Sequence, residues 1–362
     1  MNDVSKMNQI EWIRFLFAVI IVYFHLLHQN IMAYTGKSLE KYETLATQSA
    51  FSYAIVECFY ILAGYFLYHS YVKRPEETIG AFAYKKFARL WPVLAFSTII
   101  QVLIFDYKWY PQLFNLLFLQ CVGVSLEYKG INWYISPYFF VMIFYFAVLK
   151  CSKDKKKTTL FIAVLVYFSY VLNINETGGG FGRETVHLFF NLAVFRAVAG
   201  IGQGCLLAAG LREVSENRKF NQTLVKTGRI LSFLEISLVE AGSLLLLLVN
   251  FLWCDYAYNN QFIVVIMFSI LLICMKCGKG ILSRIFNRKI FGIWGKYSYS
   301  IYVMQQISFY ILQRTIWKNQ VFVENHMYRC LGVSILFSVA VGIGTYYVVE
   351  KPAMKILLKL RK

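Results

Sequence analysis

Charged side chains are scarce in this chain, and their scarcity limits what class of protein it can be. Only 15% of its 362 residues are Asp, Glu, Lys or Arg, while 58% are hydrophobic. Soluble domains carry about a quarter charged residues and about half apolar ones. Apolar runs such as 15–27, 243–252 and 262–274 extend toward the roughly 20 residues that a bilayer-spanning helix needs. The sequence therefore predicts an integral membrane protein with many spans.

Acidic residues are fewer still, with 19 Asp and Glu against 37 Lys and Arg and a formal net charge of +18. A basic protein of this kind is a candidate for nucleic-acid binding when its cations line one face. Here Lys and Arg occur in short clusters between apolar runs, which is typical of positive charge retained on the cytoplasmic side of a membrane. Membrane lipid is the expected surrounding, and no nucleic-acid partner is predicted.

Cysteine and glycine motifs give no metal or phosphate-loop signal. The 8 cysteines lie mostly within apolar runs, which argues against a secreted disulfide framework. Cys274 and Cys277 form a single CxxC that lacks a second pair of ligands. The glycine-rich segment 178–182 has no preceding strand and no following Lys-Ser/Thr. We predict no metal site, and we interpret 178–182 as an outer loop.

The basic clusters predict the topology of a single all-α domain over residues 1–362. Clusters at 73–89, 150–157, 212–229, 276–289 and 351–362 are taken as cytoplasmic. About ten spans satisfy this arrangement, near 10–30, 51–71, 88–105, 131–149, 158–174, 187–209, 230–252, 261–275, 291–312 and 330–349. The expected fold is a polytopic transmembrane helical bundle with both termini cytoplasmic.

Segment 111–124 is apolar but only about 14 residues long, short of a full crossing. Counting it as a crossing would place the 150–157 cluster outside, so we expect it to be re-entrant or interfacial. The first span has no small-residue cleavage site and is expected to stay as an anchor. Because the longest connections are about twenty residues, any chemistry is expected in or at the membrane.

Arg14 and His25 are the most informative ionisable residues of the first span. A charged side chain in hydrocarbon costs about 2.5–3.5 kcal/mol on insertion scales, so each requires a partner or a function. The two residues lie about three turns and about 16 Å apart on one helix face, with Arg14 nearer the cytoplasm. A guanidinium can bind phosphate and an imidazole can act as a general base. The alternative is a cytoplasmic anchor and a helix–helix hydrogen bond.

Further motifs follow along the chain. The third span opens with KKFARLWP, which contains Lys86 and Arg89; the fourth opens with Asn-Trp-Tyr, which contains Trp133 and Tyr134. A late segment, YSYSIY, ends at Tyr302. Together with the Arg-x10-His spacing in the first span, these motifs resemble the acyltransferase-3 family of membrane O-acyltransferases over nearly the whole chain. That family modifies bacterial surface polysaccharides, lipopolysaccharide O-antigens and related glycans.

The chain departs from the family pattern at three positions. Lys86 replaces an arginine and offers a point charge without the bidentate fork. Ala63 stands where the family has a serine, and Gln305 stands where a histidine is often seen. His25 is therefore the one strong histidine candidate. The terminal Val-Glu-Lys-Pro at 349–352 again resembles the family, without a role that the sequence assigns.

The resemblance implies a separate role for each of these residues. Arg14, with Lys86 and Arg89, would bind the phosphates of acyl-CoA, most simply acetyl-CoA, on the cytoplasmic side. His25 would deprotonate the attacking hydroxyl, and an acyl-histidine stays open because imidazole is also a nucleophile. Trp133 and Tyr134 could stack on a sugar or line the acyl path, or could belong to an interfacial aromatic belt. Tyr302 is placed in the same substrate pocket.

Two further charges lie within predicted spans. Glu57 in the second span is the best carboxylate to orient His25, since a base works better when a third group fixes its tautomer. A structural salt bridge with another intramembrane charge is the alternative. Arg196 lies deep in VFRAVAGIGQG, and a mid-span arginine beside glycines indicates a polar cavity or a close helix contact. We place it in the substrate pocket.

The predicted function is transfer of an acyl group, most simply acetyl, to a hydroxyl of a cell-envelope glycan or lipid-linked glycan at the bacterial cytoplasmic membrane. A transporter or flippase for a glycan lipid is one alternative, although no convincing inverted repeat is visible. An envelope glycan polymerase is another, although its large charged outer loop is missing from the sequence. The Ala63 and Gln305 departures leave a catalytically silent member as the third alternative.

Overall fold

A computed structural model describes residues 7–31, 44–45, 47, 50–105, 108–121, 131–178, 180–182, 185–187, 190–216, 233–253 and 261–360. The first half contains helices α1 (Asn8–His25), α2 (Ile55–Lys73), α3 (Ile79–Phe105), α4 (Trp109–Leu116), α5 (Ile135–Cys151), α6 (Lys155–Thr177) and α7 (Leu192–Glu216). The second half contains α8 (Phe233–Trp253), α9 (Phe262–Cys277), α10 (Ile281–Phe286), α11 (Lys289–Gly292), α12 (Ser298–Arg314), α13 (Gln320–Asn325), α14 (Met327–Thr345) and α15 (Lys351–Leu360).

Short turns of other kinds connect these helices. Single 3-10 turns at Ala50–Ala54, Ile131–Tyr134 and Gly295–Tyr297 lead into α2, α5 and α12. π-Helical turns extend α1 over Leu26–Ile31 and α14 over Tyr346–Glu350. Two short antiparallel strands, β1 (Val186–His187) and β2 (Phe190–Asn191), pair with Val186 opposite Asn191 just before α7.

The helices confirm an all-α polytopic bundle. In the described part of the chain, 8 helical segments are long and apolar enough to cross a membrane. The two other predicted spans fall on α9, with 16 residues, and α12, with 17 residues. Ten crossings and cytoplasmic termini stay predictions.

The segment predicted to be re-entrant or interfacial forms α4, an 8-residue helix that is too short to cross. A chain of buried amides fixes it: Asn115 donates to Thr98 Oγ1 at 3.0 Å, and Gln120 donates to Asn115 Oδ1 at 3.0 Å. Gln120 also donates to the carbonyl oxygen of Asn132 at 3.2 Å. The segment is therefore tied to α3 and to the entrance of α5; the choice between re-entrant and interfacial stays a prediction, and residues 122–124 lie outside the described residues.

The centre of the bundle is a close crossing of α2 and α7. A Cβ on Gly64 of α2 would overlap the carbonyl oxygen of Ile201, and a Cβ on Gly204 of α7 would overlap the carbonyl oxygen of Ile61. Cys205 Sγ also lies 3.4 Å from the carbonyl oxygen of Gly64. Small residues let helix backbones approach closely in lipid, where packing replaces the hydrophobic effect as the driving force. The two helices are thus in backbone contact.

A buried carboxylate fixes the start of α10 against α8. Glu240 Oε2 accepts from the backbone N–H groups of Leu282 at 2.8 Å and Ser283 at 3.1 Å. Its other oxygen accepts from the Ser283 hydroxyl. The unpaired N–H groups of a helix start are natural partners for an anion. Glu240 is satisfied in this way although it is fully buried.

Replacing Gly204 with alanine is expected to destabilise the bundle, because the new methyl group would overlap a backbone carbonyl oxygen. Unlike a side chain, a backbone carbonyl cannot move aside by changing rotamer. Overpacking of this kind costs roughly 1–3 kcal/mol. Thermal unfolding of the purified protein in detergent measures the effect. Gly210→Ala is the matched control on the same helix, since a Cβ there meets nothing within 4 Å. Equal melting temperatures for the two variants would contradict the close crossing.

Candidate active site

Helices α1, α2, α3, α5 and α12 surround a cavity of about 320 Å³. Five of the residues predicted from the sequence lie in its wall: Arg14, Lys86, Arg89, Tyr134 and Tyr302. They come from four separate helical segments, so only the folded bundle brings them together. Apolar side chains of α2 and aromatic rings complete the wall. The structure places the three cations predicted to bind CoA phosphates beside Tyr134 and Tyr302, two of the residues predicted for the substrate pocket.

Positive charge exceeds negative charge in this cavity. Arg14 forms a salt bridge with Glu11 one turn away, with Nη1 to Oε2 at 2.9 Å. Lys86 lies with Nζ 5.1 Å from the ring centre of Phe82 and 5.8 Å from that of Tyr138. With Arg89 there are three cations and one carboxylate among the described lining residues. Such a cavity suits a phosphate or another anion with several oxygen acceptors.

His25 is buried at the last turn of α1, with 4% of its surface exposed. Its Nδ1 lies 3.1 Å from Oε1 of Gln305. An amide oxygen only accepts, so Nδ1–H is the donor at this contact. The residue that departs from the family pattern therefore fixes the tautomer of the candidate base.

His25 lies behind the cavity and is not among its described lining residues. Tyr302 connects the two places: its ring centre is 6.3 Å from that of His25 and 4.5 Å from that of Tyr134, and it lines the cavity. The Tyr302 hydroxyl donates to the carbonyl oxygen of Ile131, which holds the ring in place. The α1 helix also changes to a π turn just after His25, a local irregularity that is frequent at functional sites.

Glu57 does not orient His25, so that prediction is wrong. Its carboxylate pairs with Arg196, with Nε to Oε1 at 2.7 Å, and Arg196 is its hydrogen-bond partner among the described residues. The two side chains are 0% and 2% exposed. The alternative of a salt bridge with another intramembrane charge is confirmed. Two charges buried in hydrocarbon are each other's best partner because the isolated ions would be expensive.

Aromatic groups enclose the Arg196 guanidinium. Its central carbon lies 5.2 Å from the ring centre of Trp133 and 5.3 Å from that of Phe181. Nη1 donates to the carbonyl oxygen of Phe181 at 3.3 Å. Trp133 and Arg196 therefore belong to an ion-pair cluster and not to the cationic cavity. The Ile131–Tyr134 turn joins the two places, because its Trp133 contacts Arg196 while its Tyr134 lines the cavity.

Glu350 is a further residue near the candidate site, and no role is predicted for it from the sequence. It accepts a hydrogen bond from the Ser300 hydroxyl at 2.5 Å, and both side chains are buried. The late YSYSIY motif and the terminal Val-Glu-Lys-Pro motif therefore meet. The carboxylate is also attracted to Arg89 and Arg14, the two arginines of the cavity. An acidic residue at the end of a predicted span was the available signal.

These features define a class: a multi-pass membrane protein with a cationic cavity inside its helical bundle and a buried imidazole behind it. The chain belongs to the acyltransferase-3 family, whose model, described as an acyltransferase domain, matches residues 7–348. The resemblance seen in the sequence is confirmed, and the protein is a membrane acyltransferase. Membership sets aside the transporter and polymerase alternatives. Comparison with curated proteins and with solved structures finds no match.

Breaking the buried pair at one end is expected to be worse than removing it. Arg196→Met leaves Glu57 as an uncompensated buried carboxylate and should cost roughly 3–5 kcal/mol, whereas Glu57→Met/Arg196→Met should recover much of that loss. Thermal unfolding of the four proteins in detergent gives the coupling free energy.

The matched control is the pair Arg212–Glu216, which has the same 2.7 Å separation but whose side chains are 32% and 57% exposed. Its loss should cost no more than about 1 kcal/mol. Single and double variants of Glu57 and Arg196 with simply additive losses would contradict the pairing as a stabilising unit.

Proposed function

We propose that this protein is an O-acyltransferase that moves acetyl from cytoplasmic acetyl-CoA to a hydroxyl of a cell-envelope or exopolysaccharide glycan. The observation that supports it best is the convergence of Arg14, Lys86 and Arg89 on one cavity whose wall leads through Tyr302 to His25. Placement in the bacterial cytoplasmic membrane, with the three cations on the cytoplasmic side, belongs to the same proposal and follows from the basic clusters.

The donor would be held by its phosphates. Arg89 offers a planar guanidinium that can donate two parallel hydrogen bonds, and Lys86 offers a point charge. The charge of Arg14 is partly compensated by its salt bridge with Glu11. The apolar residues Phe59, Leu62 and Phe66 of α2 form the opposite wall and suit the uncharged arm of the thioester. Ala63 leaves room where a serine would add a hydroxyl, so acyl transfer here does not depend on that group.

His25 would act as the general base. Its Nε2 takes the proton of the acceptor hydroxyl as the hydroxyl oxygen attacks the thioester carbonyl. The new C–O bond forms, the C–S bond breaks, and the proton on His25 passes to the departing CoA thiolate. Gln305 holds Nδ1–H throughout, so Nε2 can give and take one proton without a change of tautomer.

The acceptor would be a glycan or a lipid-linked glycan that approaches His25 from the side opposite the CoA cavity. Tyr134 and Tyr302 lie where the two substrates would meet, with ring centres 4.5 Å apart and perpendicular. Trp133 is buried and has Arg196 at its ring, so its role is to hold the guanidinium. The ion-pair cluster thereby supports the turn that carries Tyr134.

Transfer of radiolabelled acetyl from acetyl-CoA into envelope glycan tests the function. Membranes with wild-type protein should incorporate label, and His25→Ala should reduce the rate by roughly 10²–10⁴-fold at matched protein levels, the usual contribution of a general base. His28→Ala is the control, since it removes a second imidazole one turn further along the chain. Equal incorporation by wild type and His25→Ala would exclude the base role. No incorporation by any form would exclude acetyl-CoA as donor.

Phosphate recognition is tested by kinetics with acetyl-CoA and with its 3′-dephospho analogue. Arg89→Gln and Lys86→Gln should raise the KM for acetyl-CoA about tenfold, because each removes a charge-assisted hydrogen bond. They should also shrink the difference between the two donors.

Lys85→Gln is the matched control: it is the neighbour of Lys86, but it pairs with Glu77 and does not line the cavity. A KM that rises equally in all three variants would contradict phosphate binding by Lys86 and Arg89.

A further inference from the structure

A second cavity, of about 310 Å³, lies among α2, α5, α6 and α7. It takes Tyr68, Tyr71 and Val72 from α2, whereas the first cavity takes Phe59, Leu62, Ala63 and Phe66 from that helix. At about 100° per residue these two sets lie on opposite faces of α2. The second cavity is therefore separate from the candidate active site.

Three cations line this second cavity, each at the end of a helix. Lys150 is in the last turn of α5, Lys155 opens α6, and Arg212 lies in the last turns of α7. Arg212 pairs with Glu216 outside the cavity, and Lys150 Nζ contacts the carbonyl oxygen of Pro75. No Asp or Glu is among the described lining residues. The mouth of the cavity therefore attracts an anion.

Hydroxyl groups stand among these cations. Ser152, Thr158 and Thr159 line the cavity around the start of α6, and Tyr68 and Tyr71 face it from α2. Hydroxyls donate to phosphate oxygens and accept from glycerol or sugar hydroxyls. The combination of ammonium, guanidinium and hydroxyl groups is suited to a phosphodiester headgroup.

Below the mouth the lining becomes apolar. Ile162 lies seven residues beyond Lys155 on α6, about 10 Å deeper. Leu206 lies at a similar depth below Arg212 on α7, and Leu149 completes the wall. A free phosphate would use only the mouth of such a cavity. A lipid would use both parts, with its headgroup among the cations and its chains along the apolar side chains.

The cavity also borders a surface that faces lipid. On α6 the large apolar side chains of Leu160, Val164 and Tyr167 are 66%, 57% and 73% exposed in the bundle. In a membrane helix such a face contacts acyl chains. A lipid can therefore enter sideways from the bilayer without crossing the protein.

We propose that this basic cavity binds the phosphate-bearing headgroup of an anionic phospholipid, with the lipid chains lying along α6. Basic pockets between membrane helices on the cytoplasmic side are suited to such headgroups. The bound lipid would stabilise the position of α2. The opposite face of α2 forms one wall of the candidate active site.

The test is native mass spectrometry of the purified protein titrated with phosphatidylglycerol or with zwitterionic phosphatidylcholine. Phosphatidylglycerol should bind more tightly to the wild type. Lys150→Gln/Lys155→Gln should raise its apparent Kd on the order of tenfold and leave that of phosphatidylcholine unchanged. The control, Lys153→Gln/Lys156→Gln, removes the same charge from the same cluster outside the cavity and should change the Kd by less than about twofold.

Thr159→Glu provides a second variant that removes no cation and adds a negative charge to the lining, so it should also weaken phosphatidylglycerol. Equal losses in the two lysine double variants, or equal binding of the two lipids by the wild type, would overturn the proposal. Displacement of phosphatidylglycerol by millimolar inorganic phosphate or CoA would overturn it in favour of a soluble phosphate ligand.

Discussion

The ion pair between Glu57 and Arg196 is the interaction on which the centre of this bundle depends. It joins α2 to α7 across a crossing so close that Gly64 and Gly204 admit no side chain. Both charges are buried, so neither can exchange its partner for water, and the pair fixes the relative register of the two helices. Helix α2 lines one cavity on each of its two faces. The register of α2 against α7 therefore determines the shape of both cavities.

Other intramembrane charges are satisfied in ways that separate structural groups from functional ones. Glu240 neutralises a helix start, and Glu350 accepts from Ser300, so each carboxylate has a partner supplied by the fold. In the cationic cavity the charges do not balance, since the described lining contains three cations and one carboxylate. This excess of positive charge in the described lining is the feature on which the proposed binding of CoA phosphates rests.

The helices and the cations of the cavity could be predicted from the sequence, but the partners of the buried charges could not. Apolar length predicted the spans, and the three-turn spacing placed Arg14 and His25 on one helix, because both signals are local. The Glu57–Arg196 pair and the His25–Gln305 bond join residues 139 and 280 positions apart. No local period indicates which of several distant polar groups a buried charge will meet. Glu57 was assigned to the wrong partner for that reason.

The contact between Gln305 and Nδ1 of His25 bears on how the imidazole could act as a base. A carboxylate on Nδ1 would both orient the imidazole and stabilise its charged form, whereas a neutral amide does the first and contributes little to the second. In the proposed mechanism, the Gln305 amide oxygen beside Nδ1 would stabilise an imidazolium less strongly than a carboxylate would. Gln305, in place of the histidine often seen in the family, is therefore compatible with the proposed role of His25 as a base.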